Sequence, residues 1–301
     1  MLAERLKSAL PLIAIVAVVF FAPMGIGGAL FALLAAAMLC LACSETFALL
    51  APPHRRRLQL IVTVTGLLMS LLAALPWLAS LTSCGEAKRL LEQAQELGHL
   101  LPAAALLLAF LLSFRETPTR EQVNAILVAA GAGLLICWQL HYFVRLFYHP
   151  GDGDPRLLLL YLIAVTKMAD VGAFTAGTLC ARRPGGNHHL APLISPKKSW
   201  EGLAGGTAFS LATSLAFVAG CGDRLALTAG QPLIGWGGAI LIGVAASPIG
   251  LLGDLAESAI KRAANAKDSG SLPGIGGILD VLDSLLPMGP LFYAYLRLAA
   301  A

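Results

Sequence analysis

The sequence predicts an all-α fold, that of a polytopic transmembrane helical protein with about nine membrane-spanning helices. Of the 301 residues, 57% are hydrophobic and only 13% are charged, and the mean hydropathy is +0.78. Charged residues make up about 25% of an ordinary soluble domain. The apolar residues also fall into runs close to the ~20 residues that a helix needs to cross a bilayer. The composition therefore excludes a soluble globular domain.

Nine apolar runs are separated by short polar segments, and we interpret each run as a transmembrane helix. The first run follows Arg5 and Lys7 but has no convincing cleavage site for a secretory signal, so we expect a retained helix. For residues 80–98 we favour a solvated connector over an amphipathic surface helix. The predicted spans are 9–23, 27–48, 58–79, 99–114, 122–144, 157–179, 202–221, 233–253 and 283–299.

Lysine and arginine are distributed unevenly between alternate loops. If the N-terminus lies inside, the inside segments hold 14 of these residues and the outside segments hold 6. Cytoplasmic loops retain more Lys and Arg than translocated loops do. We therefore expect a multi-pass protein of the cell inner (cytoplasmic) membrane, with its N-terminus and its polar site on the cytoplasmic side. The net charge of +4 is modest, and no nucleic-acid partner is expected.

The two halves of the chain differ in polarity. Residues 1–150 contain apolar helices with hardly any polar chemistry, which predicts an N-terminal transmembrane scaffold. Residues 151–301 hold acidic residues within or beside apolar runs, and ionisable groups at membrane depth are usually kept for a site or pathway. We therefore expect the functional site in this second half. Its acidic residues in or near the predicted spans are Asp170, Glu201, Asp254, Glu257, Asp268, Asp280 and Asp283.

The densest polar group lies between Gly253 and Asp283. On a helix, the spacing of Asp254, Glu257, Ser258 and Lys261 places all four on one face. The later run PGIGG frees the backbone for tight turns or for close approach to a ligand. We expect a final helix that opens with Asp280 and Asp283 on one side of its first turn.

Carboxylates and cations in this group suggest a site for a metal and phosphates. Asp254, Asp280 and Asp283 supply the hard oxygen ligands that suit Mg²⁺. The nearby basic side chains suit phosphate groups. The alternative is a set of ordinary interfacial charges that pair with one another. The basic residues in question are Lys261, Arg262 and Lys267.

A second polar group runs from Lys167 to Gly202. Asp170 lies within a predicted span, where an ion pair with Lys167 is the alternative to a functional role. Ser195, Lys197 and Lys198 form a compact set of phosphate-binding side chains, although the same residues also suit a basic surface turn.

The order of these motifs resembles the signature of the CDP-diacylglycerol synthases. The run Gly253-Asp254-Leu255 with Glu257 is similar to the lead-in of that signature, and the segments around Asp170 and Lys197 are similar to other family segments. The resemblance covers about residues 165–290. The positions that fill the signature are Ser258, Lys261, Arg262, Lys267, Asp268, Pro273, Gly276, Gly277, Asp280 and Asp283.

The resemblance implies a CTP:phosphatidate cytidylyltransferase, which joins CTP and phosphatidic acid into CDP-diacylglycerol and releases pyrophosphate. It implies Mg²⁺ held by Asp254, Asp280 and Asp283, with a second cation as a further candidate. The expected partners are CTP, phosphatidic acid, the lipid bilayer and a candidate homodimer. The implied catalytic residues are Asp254, Lys261, Lys267, Asp268, Asp280 and Asp283, and the implied substrate-binding residues are Asp170, Ser195, Lys197, Lys198, Ser258, Arg262, Gly276 and Gly277.

Two side chains depart from the signature. Ile275 replaces a histidine and Val281 replaces an arginine, which removes a hydrogen-bonding group and a phosphate or carboxylate clamp. A catalytically weakened homologue that binds lipid or regulates a partner is therefore one alternative. An ion-coupled transporter that uses Asp170 and Asp254 as an ion path is a second.

Overall fold

The computed structural model describes residues 14, 16–80, 85–113, 117, 119–149, 154–222, 225, 234–270 and 276–299. The chain divides into two compact units. The first unit comprises residues 1–150 together with 263–280, and the second comprises residues 151–262 together with 281–301. The segment 263–280, which carries part of the predicted signature, thus belongs with the N-terminal helices.

The first unit is helical throughout its described elements. Aromatic packing joins the first and last of its long helices, since the rings of Phe31 and Phe147 stack 3.9 Å apart. The Tyr148 hydroxyl donates to the Gly28 carbonyl at 2.5 Å. The helices are α1 (Met24–Leu50), α2 (Arg55–Ser80), α3 (Gly85–Leu97), α4 (Leu101–Ser113), α5 (Arg120–Ala132) and α6 (Gln139–Phe147), with a 3₁₀ turn at Gly98–Leu100 and a π-helical segment at Gly133–Trp138.

The segment 80–98, for which we favoured a solvated connector, contains helix α3. The prediction was wrong because Glu, Gln, Lys, Arg and Leu are strong helix formers, and their charges do not prevent a helix with one apolar face. The chain continues from α3 through the 3₁₀ turn into α4, and Arg89–Ser113 is apolar and long enough to cross a membrane.

The second unit is built on three long helices. Its elements are α7 (Pro155–Ala181), strands β1 (His189–Ala191) and β2 (Ser195–Ser199), α8 (Trp200–Cys221), α9 (Trp236–Ala263) and α11 (Met288–Ala299). The five-residue helix α10 (Ile278–Leu282) begins in the first unit and ends in the second. The two strands pair antiparallel, with Ala191 opposite Ser195. Within the described residues the fold is all-α apart from this ribbon, as predicted.

Close approach and buried hydroxyls hold these helices together. A Cβ atom at Gly172 of α7 would lie 2.5 Å from the Gly205 carbonyl oxygen of α8. The Tyr161 hydroxyl donates to Ser214 at 2.6 Å, and Ser214 donates to the Ala239 carbonyl of α9 at 2.7 Å. Small residues and interhelical hydrogen bonds are the usual means of association for helices in lipid.

Seven helical segments among the described residues are long and apolar enough to span a membrane. Residues 9–13 and 15 of the predicted first span, 9–23, lie outside the described residues, and residues 16–21 of that span are helical. The predicted last span, 283–299, contains only the 12-residue helix α11. It is shortened because Pro287 disfavours helical backbone in the residue before it. The count of about nine is therefore not confirmed. The seven segments are Met24–Leu50, Arg55–Trp77, Arg89–Ser113, Arg120–Phe147, Pro155–Ala181, Trp200–Cys221 and Trp236–Ala263.

Candidate active site

A cleft of about 250 Å³ lies within the second unit. Helix α7 contributes Asp170, strand β2 contributes Lys197 and Lys198, and helix α9 contributes Asp254. Its wall also has an apolar side, where the Phe174 side chain is 74% exposed. The cleft thus brings charged groups of both signs beside an exposed apolar surface.

The β1–β2 ribbon positions the two lysines. Where we expected a loop, the backbone forms a short antiparallel ladder that ends at Ser199. Ser199 begins helix α8, and its hydroxyl accepts from the Gly202 N–H at 3.1 Å, as preferred N-cap residues do. Asn187 ties the ribbon to α7, because its side-chain amide donates to the Gly177 carbonyl at 2.8 Å. Lys197 and Lys198 are therefore held at a defined place on the cleft wall.

Lys198 forms an ion pair with Asp254. The side chain of Lys198 is 31% exposed and that of Asp254 is 15% exposed. Solvent screens this pair less than it screens a pair on an open surface. The predicted phosphate-binding lysine and the predicted metal ligand are therefore brought together, a contact that spans 56 residues of sequence.

The carboxyl groups of Asp254 and Asp283 are hydrogen-bonded to each other. Burial, the negative charge of Asp254 and this hydrogen bond raise the pKa of Asp283 to about 8. Lys198 offsets one of the two negative charges, and a proton on Asp283 or a bound cation would offset the other. Two of the three predicted metal ligands therefore meet within this unit.

Lys167 and Asp170 form the ion pair that we weighed as the alternative to a functional role for Asp170. The Lys167 amine lies 3.2 Å from Asp170 Oδ2. It also donates to Ser284 Oγ at 2.9 Å and to the Val281 carbonyl at 3.1 Å, and Ser284 Oγ lies 2.9 Å from the same Asp170 oxygen. The pair is therefore one part of a network that orients Asp170 at the edge of the cleft.

The polar face predicted for residues 254–261 is confirmed as part of helix α9, although its charges are partly engaged. Lys261 pairs with the buried Glu257 at 2.5 Å. Arg262 is exposed, and its Nε donates to the Ile194 carbonyl at 3.3 Å. Ser258 lies on the same helix and is half-buried. The i,i+4 partner predicted by helical spacing is thus present, and it holds Lys261 in place.

Asp280 lies in the first unit, where its carboxylate accepts hydrogen bonds from the signature loop, by which we mean the described residues 264–270 and 276–277 between α9 and α10. Its Oδ2 accepts from the Ser269 N–H at 3.0 Å, the Ser269 hydroxyl at 2.8 Å and the Gly277 N–H at 2.7 Å. Gly276 has φ +91°, a left-handed conformation that favours glycine. The tight turn that we expected of the glycine-rich run is therefore present at Gly276, and the close approach to a ligand stays a prediction.

Asp280 and Asp283 do not share the first turn of one final helix, as we had expected. Helix α10 contains Asp280 but ends at Leu282, so Asp283 lies in the turn that follows. The predicted metal ligands fall in both units, Asp280 in the first and the other two in the second. Among the described residues, no group of three or more His, Cys, Asp or Glu side chains is arranged to hold a metal ion.

Lys267, Asp268 and Ser195 are not among the residues that line the cleft. Lys267 and Asp268 are exposed in the loop after α9. Ser195 begins strand β2 but does not line the cleft. Ile275, the departure from the signature histidine, lies outside the described residues.

Glu45 is a polar residue of this region that sequence reasoning missed. It belongs to helix α1, within a span that we interpreted as scaffold, yet its carboxylate accepts from the Ile278 N–H at 2.9 Å and the Leu279 N–H at 3.0 Å. One signal could have identified it, since an acidic residue within a predicted membrane span is a functional candidate by default.

Known proteins similar to this chain bear on the chemistry of these residues. The model of the cytidylyltransferase family matches residues 4–299. A phosphatidate cytidylyltransferase of Haemophilus influenzae is 40% identical over 136 residues, which cover 45% of this chain and 44% of the relative. The Mycobacterium leprae enzyme of the same name is 38% identical over 160 residues, 52% of this chain and 45% of the relative.

A longer alignment joins this chain to the phosphatidate cytidylyltransferase of Bacillus subtilis, at 36% identity over 197 residues, 65% of this chain and 66% of the relative. The chain spans about half the length of the first two relatives. Because the family match extends over nearly every residue, the chain belongs to the cytidylyltransferase family.

Proposed function

We propose that this protein is a membrane-bound phosphatidate cytidylyltransferase, which converts CTP and phosphatidate to CDP-diacylglycerol and pyrophosphate. The observation that carries the proposal is the cleft of the second unit, in which Lys197, Lys198 and Asp254 lie beside exposed apolar surface. The names of the relatives support the same reaction.

A lipid phosphate suits this cleft on both its polar and its apolar side. The two lysines provide cationic donors for a phosphate group. Phe174 lines the cleft, and both it and Val171, 47% exposed, present apolar surface on α7 beside Asp170. The headgroup of phosphatidate would contact the lysines, while its acyl chains would lie along this apolar surface in the bilayer.

The reaction needs positioning and charge neutralisation more than a strong base. The phosphate of phosphatidate is already anionic near neutral pH and attacks the α-phosphorus of CTP, and the bond to pyrophosphate breaks. Lys198 and Lys197 would neutralise charge on the reacting phosphates, and Lys167 would hold Asp170 at the edge of the cleft. Orientation and preorganised charge supply most of the rate enhancement in transfers of this type.

A divalent cation fits the pair formed by Asp254 and Asp283. Lys198 supplies one positive charge for two carboxyls in contact, and the raised pKa of Asp283 indicates that a second is lacking; a bound cation would supply it. We propose Mg²⁺ for this role because both ligands are hard oxygens. The ion would neutralise charge on the phosphates. Asp280 as a third ligand, and a second cation, stay predictions.

We further propose that the protein lies in the inner membrane with its active site on the cytoplasmic side. The excess of Lys and Arg in alternate loops supports this orientation. CTP would reach the cleft from the cytosol and phosphatidate from the bilayer. A homodimer also stays a prediction.

The test is an assay of the purified protein in mixed micelles with labelled CTP, phosphatidate and Mg²⁺, scored for label in the lipid phase. We expect CDP-diacylglycerol from the wild type and a loss of about 100-fold or more in Lys198→Ala and Asp254→Asn. Arg183→Ala is the control, because Arg183 is an exposed cation beyond the end of α7 and does not line the cleft. It should retain full activity.

Two results would overturn the proposal. Failure of the wild type to form product with any phosphatidate or divalent cation would favour the weakened homologue that binds lipid. Full activity in Lys198→Ala would show that the cleft does not take part in the reaction.

A further inference from the structure

Glu45 joins the first transmembrane helix of the described chain to the signature loop. We infer that it is a positioning residue, which holds Ser269 and the first residues of helix α10, Ile278 and Leu279, and, through Ser269, sets the orientation of the Asp280 carboxylate. Its consequence in catalysis rests on the proposed function and on the predicted role of Asp280 in it. The contacts themselves lie entirely within the first unit.

Both oxygens of the Glu45 carboxylate are used as acceptors. Oε1 accepts from the Ile278 N–H at 2.9 Å, while Oε2 accepts from the Leu279 N–H at 3.0 Å and lies 3.1 Å from the Ser269 hydroxyl. A glutamine at this position would turn an amide N–H₂ group toward a donor. At least one of these hydrogen bonds would be lost, and a donor would face a donor.

The Ser269 hydroxyl connects Glu45 to Asp280. It lies 3.1 Å from Glu45 Oε2 and 2.8 Å from Asp280 Oδ2, so two carboxylate oxygens compete for one hydroxyl hydrogen. Ser269 is 5% exposed, and its backbone N–H also donates to Asp280 at 3.0 Å. A change at Glu45 therefore reaches Asp280 through a buried side chain that has no room for an alternative solvent partner.

Two glycines make room for this arrangement. A Cβ atom at Gly270 would lie 2.5 Å from Glu45 Oε1, and one at Gly277 would lie 2.5 Å from Glu45 Oε2 and 2.0 Å from Ser269 Oγ. Distances this short are excluded for a real Cβ atom unless neighbouring atoms move. The close approach of the loop backbone is thus toward Glu45 and Ser269.

The inference is tested with Glu45→Gln in the full-length protein, by two independent measurements. Hydrogen–deuterium exchange should be faster at the amides of Ile278 and Leu279, because their acceptor is altered. In the labelled-CTP assay, kcat should fall about tenfold or more while the KM for phosphatidate is unchanged, since only the orientation of Asp280 is disturbed. Glu121→Gln, an exposed glutamate on α5, is the matched control and should change neither quantity.

Ser269→Ala provides a second route if Glu45→Gln does not fold. It removes the hydroxyl that links the carboxylates while leaving the backbone contacts of Glu45 in place, and it should lower kcat with unchanged amide exchange at Leu279. In the double variant the two losses in kcat should be less than multiplicative, because both changes break the same link.

The outcomes separate this inference from the proposed function. Unchanged exchange at Ile278 and Leu279 in Glu45→Gln would overturn the contact. Faster exchange with unchanged kcat would show that Glu45 has a structural role only, and would overturn the inference that it positions Asp280 for catalysis. A wild type that forms no product would defeat the proposed function, while the exchange data would still decide whether Glu45 holds the loop.

Discussion

At the scale of single residues, the chemistry of the second unit depends on which charges meet. Lys198 pairs with Asp254, and Asp254 is hydrogen-bonded to Asp283. The three residues come from strand β2, helix α9 and the turn after α10. Each contact places a polar group partly out of solvent, where its partner offsets the cost of burial.

The pH dependence of stability should report the protonation of Asp283. Because its pKa is raised to about 8 in the folded protein, the folded state keeps a proton that the unfolded chain has lost above about pH 4. The free energy of unfolding should therefore fall as the pH rises from about 5.5 to about 7.5, by at most about 1.4 kcal/mol per pH unit. Asp283→Asn should abolish this slope in thermal unfolding of the detergent-solubilised, chelator-treated protein.

Asp154→Asn is a matched control for that measurement. Burial acts to raise and the hydrogen bonds from Arg156 to lower the pKa of Asp154, and the net shift is downward. Its contribution to stability is therefore fully present above about pH 4 and constant between about pH 5.5 and about pH 7.5. A wild type whose stability does not change over this range, or a slope that survives in Asp283→Asn, would contradict the assignment.

At the scale of elements, the position of the cleft depends on how closely α7 and α8 approach. A Cβ atom at Gly205 of α8 would lie 2.2 Å from the Cβ of Ala176 and 2.8 Å from the Gly172 carbonyl oxygen. A Cβ atom at Gly206 would lie 2.5 Å from Ser247 Oγ of α9. Glycines on α8 therefore permit the packing that brings three helices around the cleft.

Gly205→Ala should destabilise the protein and displace the cleft residues of α8. We expect a loss of about 1–3 kcal/mol from overpacking, measured by thermal unfolding in detergent, together with reduced activity. Gly220→Ala on the same helix has nothing within 4 Å of the added Cβ. It should be neutral or more stable by up to about 1 kcal/mol, because alanine is the better helix former. Equal stability of the two variants would contradict the packing argument.

At the scale of the whole molecule, the distribution of charge predicts the orientation of the helices in the bilayer. Arg182 and Arg183 follow α7, whereas its first turn carries Arg156, which is paired with Asp154. Helix α7 is long and apolar enough to cross a membrane. The two ends of α7 are therefore expected on opposite sides, with the end at Arg182 and Arg183 in the cytoplasm.

Single cysteines on a cysteine-free background would test this orientation. Arg183→Cys should react with a membrane-impermeant maleimide only after intact cells are opened, and Asp154→Cys should react in intact cells. The reverse pattern would place the cleft on the outer face and remove access to cytosolic CTP. The native cysteines to be replaced by serine are Cys40, Cys43, Cys84, Cys137, Cys180 and Cys221.

Much of the architecture could be predicted because helices in lipid follow from local composition. Backbone groups in a bilayer must be satisfied within their own segment, so a run of apolar residues is sufficient to predict a helix. Helix α9 and its Glu257–Lys261 pair followed from spacing in the same way. The helix at 85–97 was missed because its charged residues suggested a solvated connector, although most of them are strong helix formers.

The sequence by itself determined the all-α fold, the membrane location and the motif order that indicates the family. Only the tertiary structure decided that Lys198 meets Asp254 and that Glu45 of α1 accepts from Ile278 and Leu279. The reason is physical. Composition and hydrophobic periodicity determine the local structure of one or two helical turns. The contacts of Lys198 and Glu45 join residues that are 56 and more than 230 positions apart in the sequence. Helix packing brings such residues together, and it cannot be predicted from a local sequence pattern.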